Sequence, residues 1–262
     1  MNIEKFQQKK SQQQKISMLT CYDYPSAKII SESNIDCVLV GDTVAMVVHG
    51  YHSTIMATIE MMVMHTLAVA RGLGAQFLLA DLPFLCHRSS IDITMQSVKQ
   101  LLQAGAHAVK IEGGDANVCL TIEHLVMSGV PVVGHIGLTP QSVLKLGGFK
   151  VQGKTQQQAE QLLEQAYKLE AAGCSALVIE CVPSALAKTI TAAVKIPTIG
   201  IGAGADTDGQ VLVWHDMLGL QTEYNFRFVK QFAQTKTTIL AAINNYVQQV
   251  NSAVFPSDEH AY

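Results

Sequence analysis

Short apolar runs of four to six residues alternate with longer stretches of helical period along almost the whole chain. The runs fall at 16–20, 37–40, 77–80, 108–111, 130–134, 176–179, 198–201 and 211–214. They are rich in Val, Ile and Leu and too short for helices, which predicts strands buried on both faces. Between them, apolar spacing predicts helices over 25–33, 58–71, 91–103, 116–127, 155–172 and 184–193, with a last one over 225–250. Strand and helix in strict alternation predict parallel βαβ units. Eight such strands in 262 residues predict a (β/α)8 TIM barrel in preference to an open sheet. Residues 202–210 are too few for a full helix, so one unit is predicted to be irregular. Residues 1–14 read as a short polar extension or helix. No linker or low-complexity tract divides the rest, and 1–262 reads as one barrel domain.

Composition narrows the function classes. Hydrophobic residues make up 48% of the chain, enough for a large core, and charged residues only 15%, which leaves room for oligomer interfaces. The net charge of −3 and the lack of a basic face argue against a nucleic-acid partner. No stretch without Asp, Glu, Lys or Arg is longer than 124–144, and Gly129, Pro131, Gly134, Gly137 and Pro140 interrupt it, so no membrane span is expected. The first ten residues carry no apolar run of the secretory kind. The six cysteines form no C-x-x-C pair and match no zinc module, which reads as free thiols in a cytoplasmic protein.

Candidate chemistry lies at the strand ends. CVLVGD, FLLAD, VKIE and LVIE place Asp42, Asp81, Glu112 and Glu180 at the C-terminal ends of four buried runs. In a parallel barrel these ends open on one face, the face that holds the active site. A single acid after a strand is ordinarily a helix cap or a turn residue. Four converging carboxylates repel one another and call for protons or a cation. Oxygen donors without a Cys or His cluster favour Mg2+ over Zn2+. Period-two alternation turns Lys110 to the same side as Glu112, as charge balance or as an anchor for a substrate carboxylate. His135 ends the fifth run, either donating to substrate or hydrogen-bonded within the barrel. The glycine-rich 200–204 lacks the G-x-G-x-x-G spacing, so it reads as a sharp turn and not as a dinucleotide site.

Around these residues the sequence resembles the ketopantoate hydroxymethyltransferase family. The matching stretches are MLTCYDYPSAK (18–28), LVGDTVAMVVHGYHST (39–54), LLADLPF (78–84), AVKIEGG (108–114), PVVGHIGLTPQSV (131–143), GGFKVQGK (147–154), LVIECVP (177–183), IPTIGIGAG (196–204) and DGQVLVWHDMLGL (208–220). They keep the family's order over almost the whole chain. The resemblance implies a TIM barrel of the phosphoenolpyruvate/pyruvate superfamily type. It implies one Mg2+ per subunit held by Asp42, Asp81 and Glu112, and a keto acid contacted by Asp42, Thr43, Asp81 and Lys110. It makes Glu180 the proton acceptor and gives His135 a place in the catalytic set. The implied reaction passes a hydroxymethyl group from 5,10-methylenetetrahydrofolate to 3-methyl-2-oxobutanoate, giving 2-dehydropantoate for pantothenate and coenzyme A. The implied assembly is a homodecamer, a pentamer of dimers.

Departures cluster in one loop. VGDTVAM stands where the family has V-G-D-S-L-G-M, so Thr43 keeps a hydroxyl and Ala45 replaces a glycine, disfavouring positive φ. His52 and Met56 replace an acid and a proline. Three rivals share parts of this pattern: another Mg2+-dependent α-keto-acid lyase or mutase on the same barrel, a two-carboxylate glycosidase, and a non-catalytic keto-acid-binding barrel. One Trp and 6% aromatic residues offer a glycosidase little sugar-stacking surface.

Overall fold

The computed structural model describes residues 3–221 and 226–262. It divides into two compact units, 1–212 and 213–262. In the first, a closed barrel of eight parallel strands runs in chain order: β1 (Ile16–Thr20), β2 (Cys37–Val40), β3 (Phe77–Asp81), β4 (Ala108–Glu112), β5 (Val132–Gly137), β6 (Ala176–Glu180), β7 (Thr198–Ile201) and β8 (Gly209–Leu212). β8 pairs back onto β1 through Ile16↔Gly209 and Met18↔Val211. The (β/α)8 reading stands.

Helix α1 (Ile3–Ser11) precedes the barrel. The others in this unit are α2 (Tyr24–Ser31), α3 (Val44–Val47), α4 (Ile59–Gly72), α5 (Ile91–Gln103), α6 (Ala116–Met127), α7 (Val143–Leu146), α8 (Gln156–Ala171) and α9 (Ser184–Ala193). Side-chain caps start most of the long ones. Asp23, Thr58, Ser90, Asp115 and Thr155 each accept from the backbone N–H three residues on, and Thr155 forms a reciprocal capping box with Gln158. Residues 202–208 carry no helix, and the chain turns through Gly202 and Gly204 at positive φ, as the short segment predicted. The second unit holds α10 (Trp214–Met217) and α11 (Thr235–Asn251). The start of the predicted 225–250 helix, Asn225, lies outside the described residues.

Several boundaries differ from expectation for physical reasons. β5 spans Val132–Gly137 and not 130–134, because Pro131 has no N–H to give the ladder. The last strand is Gly209–Leu212, since pairing with β1 fixes its register, and Trp214 starts a helix. α1 is more than a solvated tail. Phe6 is fully buried against Phe77, ring centroids 5.2 Å apart, in the cluster that fills the barrel with Ile16, Met18, Leu39, Leu79, Val133, Val178 and Val211. Lys9 pairs with Asp36 and Lys10 with Asp208, the acids that precede β2 and β8.

Candidate active site

The barrel's interior pattern delivers the site. Phe77 and Leu79 on β3, Ala108 on β4, Val133 on β5, and Ala176 and Val178 on β6 belong to the filled core. Period two carries the same inward faces upward to Asp81, then Lys110 and Glu112, then His135, then Glu180. Register sets their heights: Asp81 pairs with Lys110, Glu112 with His135, and Gly137 with Glu180. Asp42 comes two residues after β2, and its backbone N–H donates to Asp81 Oδ2 at 3.0 Å. Asp42, Asp81, Lys110, Glu112, His135 and Glu180 are thus brought onto one face.

Lys110 Nζ sits 3.2 Å from Asp81 Oδ1, 3.8 Å from Glu112 Oε1 and 3.2 Å from His135 Nδ1. His135 bridges the acids, with Nδ1 3.3 Å from Glu112 Oε1 and Nε2 3.2 Å from Glu180 Oε2. Burial is nearly complete except at Glu180, whose side chain is 15% exposed against 2–5% for Lys110, Asp81, Glu112 and His135. Burial, then repulsion from Asp81 and Glu112, pushes the Asp42 carboxyl well above the usual range. Burial also raises Asp81, although Lys110 pulls against it. Burial works against charge on Lys110, but the surrounding carboxylates outweigh it and hold the ammonium charged. Burial and Lys110 disfavour charge on His135, and Glu112 and Glu180 on either side more than offset them, so its pKa rises. Burial likewise opposes charge on Glu112, yet His135, Lys110 and the Gln141 N–H bring it below its ordinary value.

Gln141 and Tyr22 carry site geometry that sequence reading did not single out. The Gln141 amide donates to Asp42 Oδ2 at 2.8 Å and to Leu82 O at 2.9 Å, and its backbone N–H donates to Glu112 Oε2 at 3.0 Å. The Tyr22 hydroxyl, fully buried, bonds the Thr43 hydroxyl at 2.6 Å. Thr43 is the residue before α3, beside Asp42. Ala45 sits inside α3, so this position needs no positive φ and the substitution costs nothing locally. His52 and Met56 are exposed. Gly137 ends β5 at φ 92°, and a Cβ there would lie 2.2 Å from Glu180 O, so only glycine lets β5 and β6 close up beside Glu180. After Glu180 the chain turns through Cys181 at φ 48°, and this residue is half-buried.

The donor set suits a hard cation. Asp81 Oδ1 and Glu112 Oε1 are buried, and the groups facing them are the Lys110 ammonium and the His135 ring at ion-pair distance. Four carboxylates surround one lysine, and a divalent ion would replace the proton that Asp42 tends to keep. Among the described residues no trio of His, Cys, Asp or Glu stands close enough to form a ready-made metal cage.

The sequence profile of the ketopantoate hydroxymethyltransferase family matches residues 1–258. The chain belongs to the ketopantoate hydroxymethyltransferase family. It is 66% identical, over all 262 residues and the full length of the relative, to the 3-methyl-2-oxobutanoate hydroxymethyltransferase of Legionella pneumophila strain Lens. The Bdellovibrio bacteriovorus enzyme of the same name is 52% identical over 98% of this chain and 97% of that one. As a family member the chain is an enzyme, a hydroxymethyltransferase. Solved structures support the fold. A phosphoenolpyruvate phosphomutase from Streptomyces platensis subsp. rosaceus superposes with a TM-score of 0.65 at 13% identity, covering 97% of this chain and 88% of that one. A 2,3-dimethylmalate lyase of the PEP mutase/isocitrate lyase superfamily gives 0.63 at 12% identity, covering 99% and 91%. A phosphonopyruvate hydrolase in complex with oxalate and Mg2+ gives 0.64 at 10%, covering 99% and 93%. No helix among the described residues is long and apolar enough to cross a membrane.

Proposed function

We propose that the protein transfers a hydroxymethyl group from 5,10-methylenetetrahydrofolate to 3-methyl-2-oxobutanoate, yielding 2-dehydropantoate on the route to pantothenate. The balanced reaction takes up one water and releases tetrahydrofolate. The carrying observation is the continuous inward face on which Asp81, Lys110, Glu112, His135 and Glu180 meet Asp42.

Asp42, Asp81 and Glu112 are the residues that would hold Mg2+. When bound, the ion polarises the ketone and offsets the charge of the enolate. The oxalate and Mg2+ held by the phosphonopyruvate hydrolase on the same fold support this reading. The Lys110 ammonium, fixed between Asp81 and Glu112, stands ready for the substrate carboxylate. The Thr43 hydroxyl, oriented by Tyr22, supplies a second contact. Glu180, at the accessible edge, takes the C3 proton, and His135 Nε2 beside it steadies the carboxylate. The C3 carbon then forms the new C–C bond with the one-carbon unit; the two C–N bonds of that unit break, water supplies its hydroxyl, and the freed nitrogens take the C3 proton and the remaining proton of the water. The nearly dry surroundings of Lys110 and His135 strengthen every charge interaction in that step.

The same reading places the enzyme in the cytoplasm, in keeping with six free cysteines. It makes the enzyme a homodecamer. Exposed Ile239, Leu240, Ile243, Tyr246, Val247 and Val250 form an apolar stripe on α11, which buries no residue of its own. This supports burial against a second copy.

The test is product formation followed by NMR. With Mg2+, tetrahydrofolate, formaldehyde and 3-methyl-2-oxobutanoate, the expected result is 2-dehydropantoate. Its absence from a folded, Mg2+-loaded sample overturns the reading.

A further inference from the structure

A cavity of about 320 Å3 opens beside the carboxylate face, and none of the roles above fills it. Its inner wall includes Gly113, which follows Glu112, and Gly137, which pairs with Glu180 across β5 and β6. Glu180 is also the accessible edge of the buried face, and it is the strand partner of Gly137 in this wall. The outer wall carries Gln161 and Gln165 of α8, Lys145 of α7, and Arg88.

The wall chemistry is selective. Arg88 is already held by Asp115 at 2.7 Å. Gln161, Gln165 and Lys145 make no side-chain hydrogen bond or ion pair among the described residues. A glutamine amide offers two donors and an acceptor, the complement of another amide edge, and a lysine offers one cation. A phosphate would call for several cations or a fan of backbone N–H groups. Two free amides and one free ammonium fit a mostly neutral, amide-bearing molecule with one anionic end. The volume is at the lower end for a ligand pocket, enough for a head group whose tail reaches solvent.

We propose that this cavity receives the one-carbon donor. Gln161 and Gln165 hydrogen-bond the amide edge of the reduced pterin, and Lys145 pairs with a carboxylate of its glutamate tail. This rests on the reading that the donor is 5,10-methylenetetrahydrofolate. Placed there, the donor presents its methylene carbon along the β5–β6 edge, next to the base.

Two single variants test it, Lys145→Ala and Gln161→Leu, both at exposed positions. Binding of tetrahydrofolate is measured by calorimetry with Mg2+ and 3-methyl-2-oxobutanoate present. Exchange of the C3 proton in D2O without folate certifies a folded keto-acid site in each variant. The expected result is tetrahydrofolate binding about tenfold weaker in each, the scale of one lost polar or charge-assisted contact. Undiminished tetrahydrofolate binding in both variants, with C3 exchange intact, overturns the cavity assignment and leaves the function reading standing. A wild-type enzyme that exchanges C3 but never binds tetrahydrofolate overturns the choice of donor, and the assignment with it.

Discussion

Gln141 ties Asp42, Leu82 and Glu112 together through three hydrogen bonds. Gln141→Leu strips Asp42 Oδ2 and Leu82 O of their donor in a buried place, where each unmet polar group costs about 1–3 kcal/mol. Support of this kind for a metal-holding carboxylate is worth about 10–100-fold in affinity. We expect Mg2+ binding to weaken by that factor in a calorimetric titration; unchanged affinity would show that Gln141 does not position Asp42. Glu180→Gln keeps the shape of the side chain but removes the carboxylate proposed as base. C3 exchange should fall about 100-fold or more, while Mg2+-dependent keto-acid binding persists. The acids were legible in the sequence because each follows a short apolar run at a strand's C-terminal end, and Lys110 because period two puts it on the side of Glu112. Gln141 and Tyr22 were not. One is a glutamine in a glutamine-rich chain and the other a tyrosine in a loop, and only tertiary contact distinguishes them.

At the scale of elements, α1 closes the barrel. Phe6 is its sole buried residue among those described, and Phe6→Ala should cost about 3–5 kcal/mol, read as a lowered urea midpoint. The latch from Lys9 to Asp36 adds a pH dependence. Burial opposes charge on Asp36, but hydrogen bonds from Lys9 and Ser17 outweigh it, so the folded carboxyl titrates below its ordinary value of 3.8. A depressed carboxylate contributes stability that is present above the unfolded pKa and is lost as pH falls through the folded one. Asp36→Asn should therefore cost about 1 kcal/mol at pH 7 and progressively less below pH ~4, measured by denaturant melts across pH. The strand count and the missing helix before β8 followed from run length alone. α1's role did not, because the apolar content of a short polar helix says nothing about which cavity its one phenylalanine enters. β5 and β8 shifted because ladder pairing, not the extent of an apolar run, decides where a strand begins and ends.

At the scale of the whole molecule, the face of the barrel works as a charge balance. Four carboxylates converge on Lys110 and His135, and the fold tolerates them by burying hydrogen bonds from Gln141 among them. The α11 stripe is the matching feature for assembly. Ile243→Glu, a charge in its middle, should reduce the particle mass seen by light scattering on a size-exclusion column; unchanged mass would place the interface elsewhere. The central claim is that this face enolises an α-keto acid with Glu180 as base. Its most direct test is the C3 proton of 3-methyl-2-oxobutanoate in D2O, followed by NMR with wild type and Glu180→Gln, each with Mg2+ and with EDTA. The account predicts loss of the C3 signal only for wild type with Mg2+. Exchange at the wild-type rate in Glu180→Gln, or undiminished exchange in EDTA, would contradict it.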